Sequence, residues 1–114
     1  MARQNPGEPY WRVSLEEANN MIGQGDAVVI DVRDSNEWAA GHVAGAIHIP
    51  VDDILSRVDE LPSDKDLLFI CAMGVRSGLA CEMAAAMDIS SDRLYNIEDG
   101  TNAWITSNYP TEKA

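Results

Sequence analysis

The chain has 114 residues, with 46% hydrophobic and 24% charged, which is one globular domain with enough length for a core of its own and excludes wholesale disorder. Its 8 Lys and Arg against 19 Asp and Glu leave a formal charge of −11, which disfavours nucleic acid and anionic membranes as partners. No run approaches the ~20 apolar residues of a membrane span, and the N-terminus lacks the apolar stretch of a signal peptide, so the expected location is cytoplasmic.

Residues 1–12 mix Pro6, Gly7 and Pro9 with polar groups and read as an arm, with Tyr10 and Trp11 placed to cover one end of the fold. Ser14 and Glu17 form a capping-box pattern that opens a helix with Leu15, Ala18, Met21 and Ile22 on one face and a stop at Gly23 or Gly25. Ala27 to Val32 is short, β-branched and nearly all apolar, as in a strand covered on both faces. Asp34 and Glu37 repeat the capping pattern before a short helix that carries Trp38 and stops at Gly41. Ile47 to Ile49 reads as a strand ended by Pro50, followed by a helix with Ile54, Leu55, Val58 and Leu61 that runs to Pro62. Leu67 to Ile70 is another buried strand, ending at Cys71, and Leu79, Met83, Ala86 and Met87 mark a long helix after a short turn. Arg93 to Ile97 is the last predicted strand, and the segment around Trp104 the last helix. Strands alternating with helices argue for an α/β domain with a mostly parallel sheet.

In open parallel sheets ligands bind outside the carboxyl ends of the strands. Cys71 stands at such an end, before Ala72, Met73, Gly74, Val75, Arg76 and Ser77 and then a helix. A tight turn entering a helix points backbone N–H groups inward and adds the positive end of the helix dipole. Gly74 permits positive φ angles, and Arg76 adds a full charge at the rim. These features favour a nucleophilic thiolate at Cys71 and would stabilise an anion bonded to its sulfur. Cys81 reads as a core residue, with a resolving thiol as the alternative. Two cysteines are too few for a disulfide framework or a closed zinc site, and His42 and His48 lack metal-motif spacing. No metal and no cofactor are expected.

The chain resembles the single-domain rhodaneses, a sulfurtransferase family. Asp31-Val32-Arg33-Asp34, Glu37-Trp38 and the run Gly41 to Pro50 resemble its N-terminal signature, Cys71 to Ser77 its active-site loop, and Asp99-Gly100 with Ala103-Trp104 and Pro110 its C-terminal signature. The motifs occur in the family's order and imply a domain over residues 13–110, with 111–114 as a tail. The resemblance implies a five-stranded, mostly parallel sheet flanked by helices on both faces. It also implies the chemistry: Cys71 takes sulfane sulfur from thiosulfate, polysulfide or a persulfide donor, and a thiol, cyanide or protein acceptor removes it from the Cys71 persulfide. The amides from Ala72 to Arg76 would cradle the terminal sulfur, while Arg76 would bind the donor's anionic end or hold the loop's shape.

Asp31 and Arg33, at a strand end, either face the site in support or form an ion pair between neighbouring loops. Glu37 reads as a helix cap, His42 as the anchor of its Gly-flanked turn, and Trp38 and Trp104 as packing aromatics. The chain departs from the family pattern at His48, where Asn is common, at Asp99, which replaces the first of two glycines, and at Asn108-Tyr109-Pro110, which lacks the Gly often found before that Pro. The apolar Ala72, Met73 and Val75 suit a polysulfide or persulfide better than a doubly charged donor. Related phosphatases and arsenate reductases place five residues between Cys and Arg; here four lie between Cys71 and Arg76, which fits one sulfur atom. A persulfide carrier and a binding module without turnover are the other readings.

Overall fold

The computed structural model describes residues 2–113. Five strands form one parallel sheet: β1 (Trp11–Val13), β2 (Ala27–Asp31), β4 (Ile47–His48), β5 (Asp66–Ile70) and β6 (Leu94–Ile97), in the order β1-β6-β5-β2-β4. A separate antiparallel pair joins β3 (His42–Val43) to β7 (Thr111–Glu112). The helices are α1 (Leu15–Gly23), α2 (Ser35–Ala40), α3 (Val75–Ala86) and α4 (Gly100–Thr106). Both capping boxes form, with the Ser14 and Asp34 side chains accepting from the backbone of Glu17 and Glu37.

Alternation along the central strands sorts the core into two layers. Ile30, Leu67, Phe69 and Cys71 pack with Ala80, Cys81 and Ala84 of α3 on one face, while Val29, Leu68 and Ile70 pack with Ala18 of α1 and Trp104 of α4 on the other. Strands covered on both faces are the reason for the nearly continuous apolar runs in β2 and β5. Each fully buried Leu, Ile or Phe contributes on the order of 1.5–3 kcal/mol. Among the described residues no helix is long and apolar enough to cross a membrane.

Three segments differ from the sequence reading. Trp11 to Val13 is no arm: it is an edge strand, paired along β6 and ending in the buried Val13. Three residues are too few to display a periodicity, and the flanking Pro and Gly hid them. Thr111 and Glu112, read as a tail, pair with Val43 and His42. The predicted helix over 54–61 is instead a pair of 3-10 turns, Val51–Asp53 and Val58–Glu60, joined by hydrogen-bonded turns. Asp52, Asp53, Ser56 and Asp59 are weak helix formers, and the Ser56 hydroxyl competes by donating to the Asp53 carbonyl. The tighter winding still buries both Ile54 and Leu61.

The predicted long helix is α3, and of the apolar residues that mark it Met83 packs against the core. Leu79 and Met87 are 45% and 44% exposed, while Ser77, Gly78, Ala80, Cys81 and Ala84 face the sheet. These small residues let the helix backbone approach β5 and β6 closely, which brings its N-terminus against the carboxyl end of the sheet.

Candidate active site

Cys71 follows the last residue of β5 and is buried on the α3 side of the sheet. The chain must turn from strand to helix within the next few residues, and Gly74 makes this possible with φ 92°. A Cβ at Gly74 would lie 2.8 Å from the Glu98 carbonyl oxygen, so glycine is required for space as well as for conformation. The turn aims the Gly74 N–H at Cys71 Sγ, 3.0 Å away, and places the buried Ser77 Oγ 3.3 Å from the same sulfur. Burial by itself raises the Cys71 pKa. The Ser77 hydroxyl and the backbone N–H groups of Ser77, Met73 and Gly74 outweigh it, so the thiol titrates below its ordinary value. Cys81 has no such donors, and burial holds its pKa well above the ordinary value.

Asn96, in β6 beside β5, braces this loop at two points. Its Oδ1 accepts from Ser77 Oγ at 2.6 Å, and its Nδ2 donates to the Gly74 carbonyl at 3.1 Å. A hydroxyl has one proton, so Ser77 accepts from the neutral Cys71 thiol while it donates to Asn96 and stabilises the thiolate by turning that proton to the sulfur, whereas the backbone amides stay fixed on the sulfur in either state. The start of α4 clasps the loop from the far side, with the N–H and Oγ1 of Thr101 donating to the Cys71 carbonyl at 2.9 and 3.1 Å. Sequence reasoning assigned no role to Asn96 or Thr101. A polar residue inside the buried strand Leu94-Tyr95-Asn96-Ile97 was the available signal.

Arg76 projects from the first turn of α3 to Glu37 on α2, with Nη1 and Nη2 donating to Oε1 and Oε2 at 2.6 and 2.9 Å. The pair holds Glu37 at a pKa of about 2, chiefly through the Arg76 hydrogen bonds. Glu37 therefore does more than cap its helix: its Oε1 accepts from the Asp34 N–H and also fixes the loop's cation. Met73 and Val75 point outward, 79% and 80% exposed, while Ala72 is half-buried.

Asp31 and Arg33 form a buried ion pair at the end of β2, and Arg33 Nη2 also donates to the Gly41 carbonyl at 2.7 Å. This pair ties β2 to the turn before β3 and makes no hydrogen bond to Cys71. His42 Nδ1 bonds the Trp38 carbonyl at 2.8 Å and its ring stacks on Trp38 with centroids 3.4 Å apart. His48, at the position where Asn is common, bonds the Arg33 carbonyl at 2.8 Å and stacks with the same indole. A carbonyl only accepts, so each of these nitrogens is the protonated one.

The rhodanese-like domain family matches residues 14–107. The chain belongs to the rhodanese-like family. It is 33% identical over 105 residues to the thiosulfate sulfurtransferase GlpE of Pseudomonas entomophila, covering 92% of this chain and 93% of that protein. The crystal structure of a rhodanese-related protein from Thermoplasma volcanium superposes with a TM-score of 0.80 at 27% identity, covering 90% of this chain and 98% of that one. The human single-domain sulfurtransferase TSTD1 gives a TM-score of 0.74 at 28% identity, covering 90% and 99%. Within this rhodanese-like domain the N-terminal signature builds the Asp31–Arg33 tie and the Glu37 partner of Arg76, and Gly100 of the C-terminal signature covers the backbone of Ala72.

Proposed function

We propose that this rhodanese-like domain moves sulfane sulfur through a persulfide on Cys71, and that its donor is a persulfide or polysulfide in preference to thiosulfate. The observation that carries the reading is the Cys71 sulfur held by inward N–H groups at the start of α3. With a persulfide donor R–S–SH, the Cys71 thiolate attacks the outer sulfur, an Sγ–S bond forms, the donor's S–S bond breaks, and R–S⁻ leaves. A thiophilic acceptor then attacks the outer sulfur of Cys71 and releases the thiolate. The first half starts from the Cys71 thiolate and then needs no general base at the sulfur, and the loop donors that lower the Cys71 pKa enlarge the thiolate fraction. The loop amides and the start of α3 supply positive potential to an anionic terminal sulfur. The four residues between Cys71 and Arg76 suit a single sulfur atom better than a tetrahedral oxyanion.

The donor preference follows from where the donor's charge sits: thiosulfate carries its negative charge on the sulfonate bonded to the attacked sulfur, whereas the carboxylates of glutathione persulfide lie many bonds from it. Arg76 is the loop's only cation, and Glu37 neutralises it through two hydrogen bonds. A dianion such as thiosulfate thus meets apolar Met73 and Val75 within a strongly acidic protein, without a free guanidinium. We expect kcat/KM for glutathione persulfide to exceed that for thiosulfate by about tenfold or more. In Glu37→Gln, which keeps the capping box while freeing Arg76, thiosulfate should gain about tenfold with the persulfide donor little changed. Steady-state kinetics with both donors checks this. Thiosulfate equal to the persulfide in the parent, or no gain in the variant, would count against it.

A further inference from the structure

Beside the active-site loop, on the side away from Glu37, lies an open groove of about 670 Å³. Cys71 does not line it; the outer surface of the loop and of α3 does, through Met73, Val75 and Leu79. Met73 and Val75 are the two most exposed large apolar side chains among the described residues. Water-exposed apolar groups flanking a nucleophile, with no packing role, are the form taken by the core of a protein contact. The groove's charged lining is Glu82, Glu98 and Asp99 against Arg12 alone, and Arg12 is already shared between Glu8 and Glu98. Glu82 and Asp99 are exposed and pair with no cation among the described residues.

We infer that this groove docks a basic segment of a partner protein, whose cysteine then exchanges sulfur with Cys71. The inference rests on the Cys71 reading above and adds the class of partner. Apolar contact at Met73 and Val75 would seat the segment, while Glu82 and Asp99 select positive charge and steer its approach. An acidic segment, or a second copy of this chain at −11, is repelled by the same groove.

The test loads the protein with glutathione persulfide and follows sulfur transfer to three acceptors. These are a short synthetic peptide with one cysteine between lysines, the same peptide with glutamates for the lysines, and dithiothreitol. The lysine peptide is expected to react about tenfold faster than the glutamate peptide at low salt, with the advantage shrinking as ionic strength rises. Reversing both free carboxylates, Glu82→Lys with Asp99→Lys, should lower the ratio of lysine-peptide to dithiothreitol transfer about tenfold. Reversing Asp26 and Asp64, which precede β2 and β5 at the opposite end of the sheet, should leave that ratio within about twofold. Equal rates for the two peptides, or the same loss in both variants, would overturn the inference. A dimer that sediments as such and is lost in Val75→Lys would also overturn it, by seating a second copy in the groove. Failure to load sulfur would count against the Cys71 reading alone. The groove is then read from the labelled lysine peptide binding the unloaded protein, where an absence of saturable binding at low salt overturns it.

Discussion

Replacing Gly100 by alanine is expected to destabilise the domain by about 2–4 kcal/mol and to disorder the Cys71 loop in the molecules that still fold. Gly100 has φ 83°, a conformation that alanine adopts only with strain. A Cβ there would lie 1.9 Å from the Ala72 carbonyl oxygen and 3.1 Å from that of Cys71. The contacted atoms are backbone, so no side-chain rotation relieves the overlap. Either α4 must withdraw, which breaks both Thr101 hydrogen bonds to the Cys71 carbonyl, or the loop must move away from Ser77 and the Gly74 amide. Urea denaturation measures the first effect, and the rate of Cys71 alkylation near neutral pH the second, since a loop that loses its amides loses thiolate. A variant within about 0.5 kcal/mol of the parent, with unchanged alkylation, would show that the close approach of α4 is not needed.

The second large effect lies at the buried ion pair. Asp31→Ala should cost about 3–5 kcal/mol, because it strands the Arg33 guanidinium in the interior. Asp31 is fully buried and Arg33 is 5% exposed, and without the carboxylate only the Gly41 carbonyl would remain as a hydrogen-bond partner for the guanidinium. The apolar double replacement Asp31→Leu with Arg33→Met removes both charges and should recover most of that loss. Sulfur transfer per folded molecule should persist in the double variant, since neither residue bonds the Cys71 loop. Denaturation of the three proteins side by side checks the ordering. A single variant as stable as the parent would show that Asp31 does not compensate Arg33.

These two sites show how much the sequence disclosed. The apolar runs of β2 and β5, and helices between them with capping boxes at Ser14 and Asp34, were enough for a parallel α/β sheet with Cys71 at a strand's carboxyl end. The edge strand Trp11–Val13 was hidden because three residues carry no readable period. The face that α3 buries was not readable because mostly small residues pack there by close backbone approach, which hydrophobicity does not register. In the site, glycine, arginine and cysteine in a turn were legible because their chemistry is local. The bracing by Asn96, the clasp by Thr101 and the engagement of Arg76 by Glu37 join residues from different elements, and only the folded sheet brings them together. Gly100 was visible as part of a motif, but its reason is a neighbour nearly thirty positions away in sequence, the Ala72 carbonyl.

The most direct test of the central claim is the intact mass of the reduced protein after exposure to glutathione persulfide or thiosulfate, beside Cys71→Ser treated in the same way. The parent is expected to gain one sulfur atom that cyanide removes, and the variant none. A folded parent with a free Cys71 thiol that takes sulfur from neither donor, or a gain that persists in Cys71→Ser, would contradict sulfur transfer through Cys71.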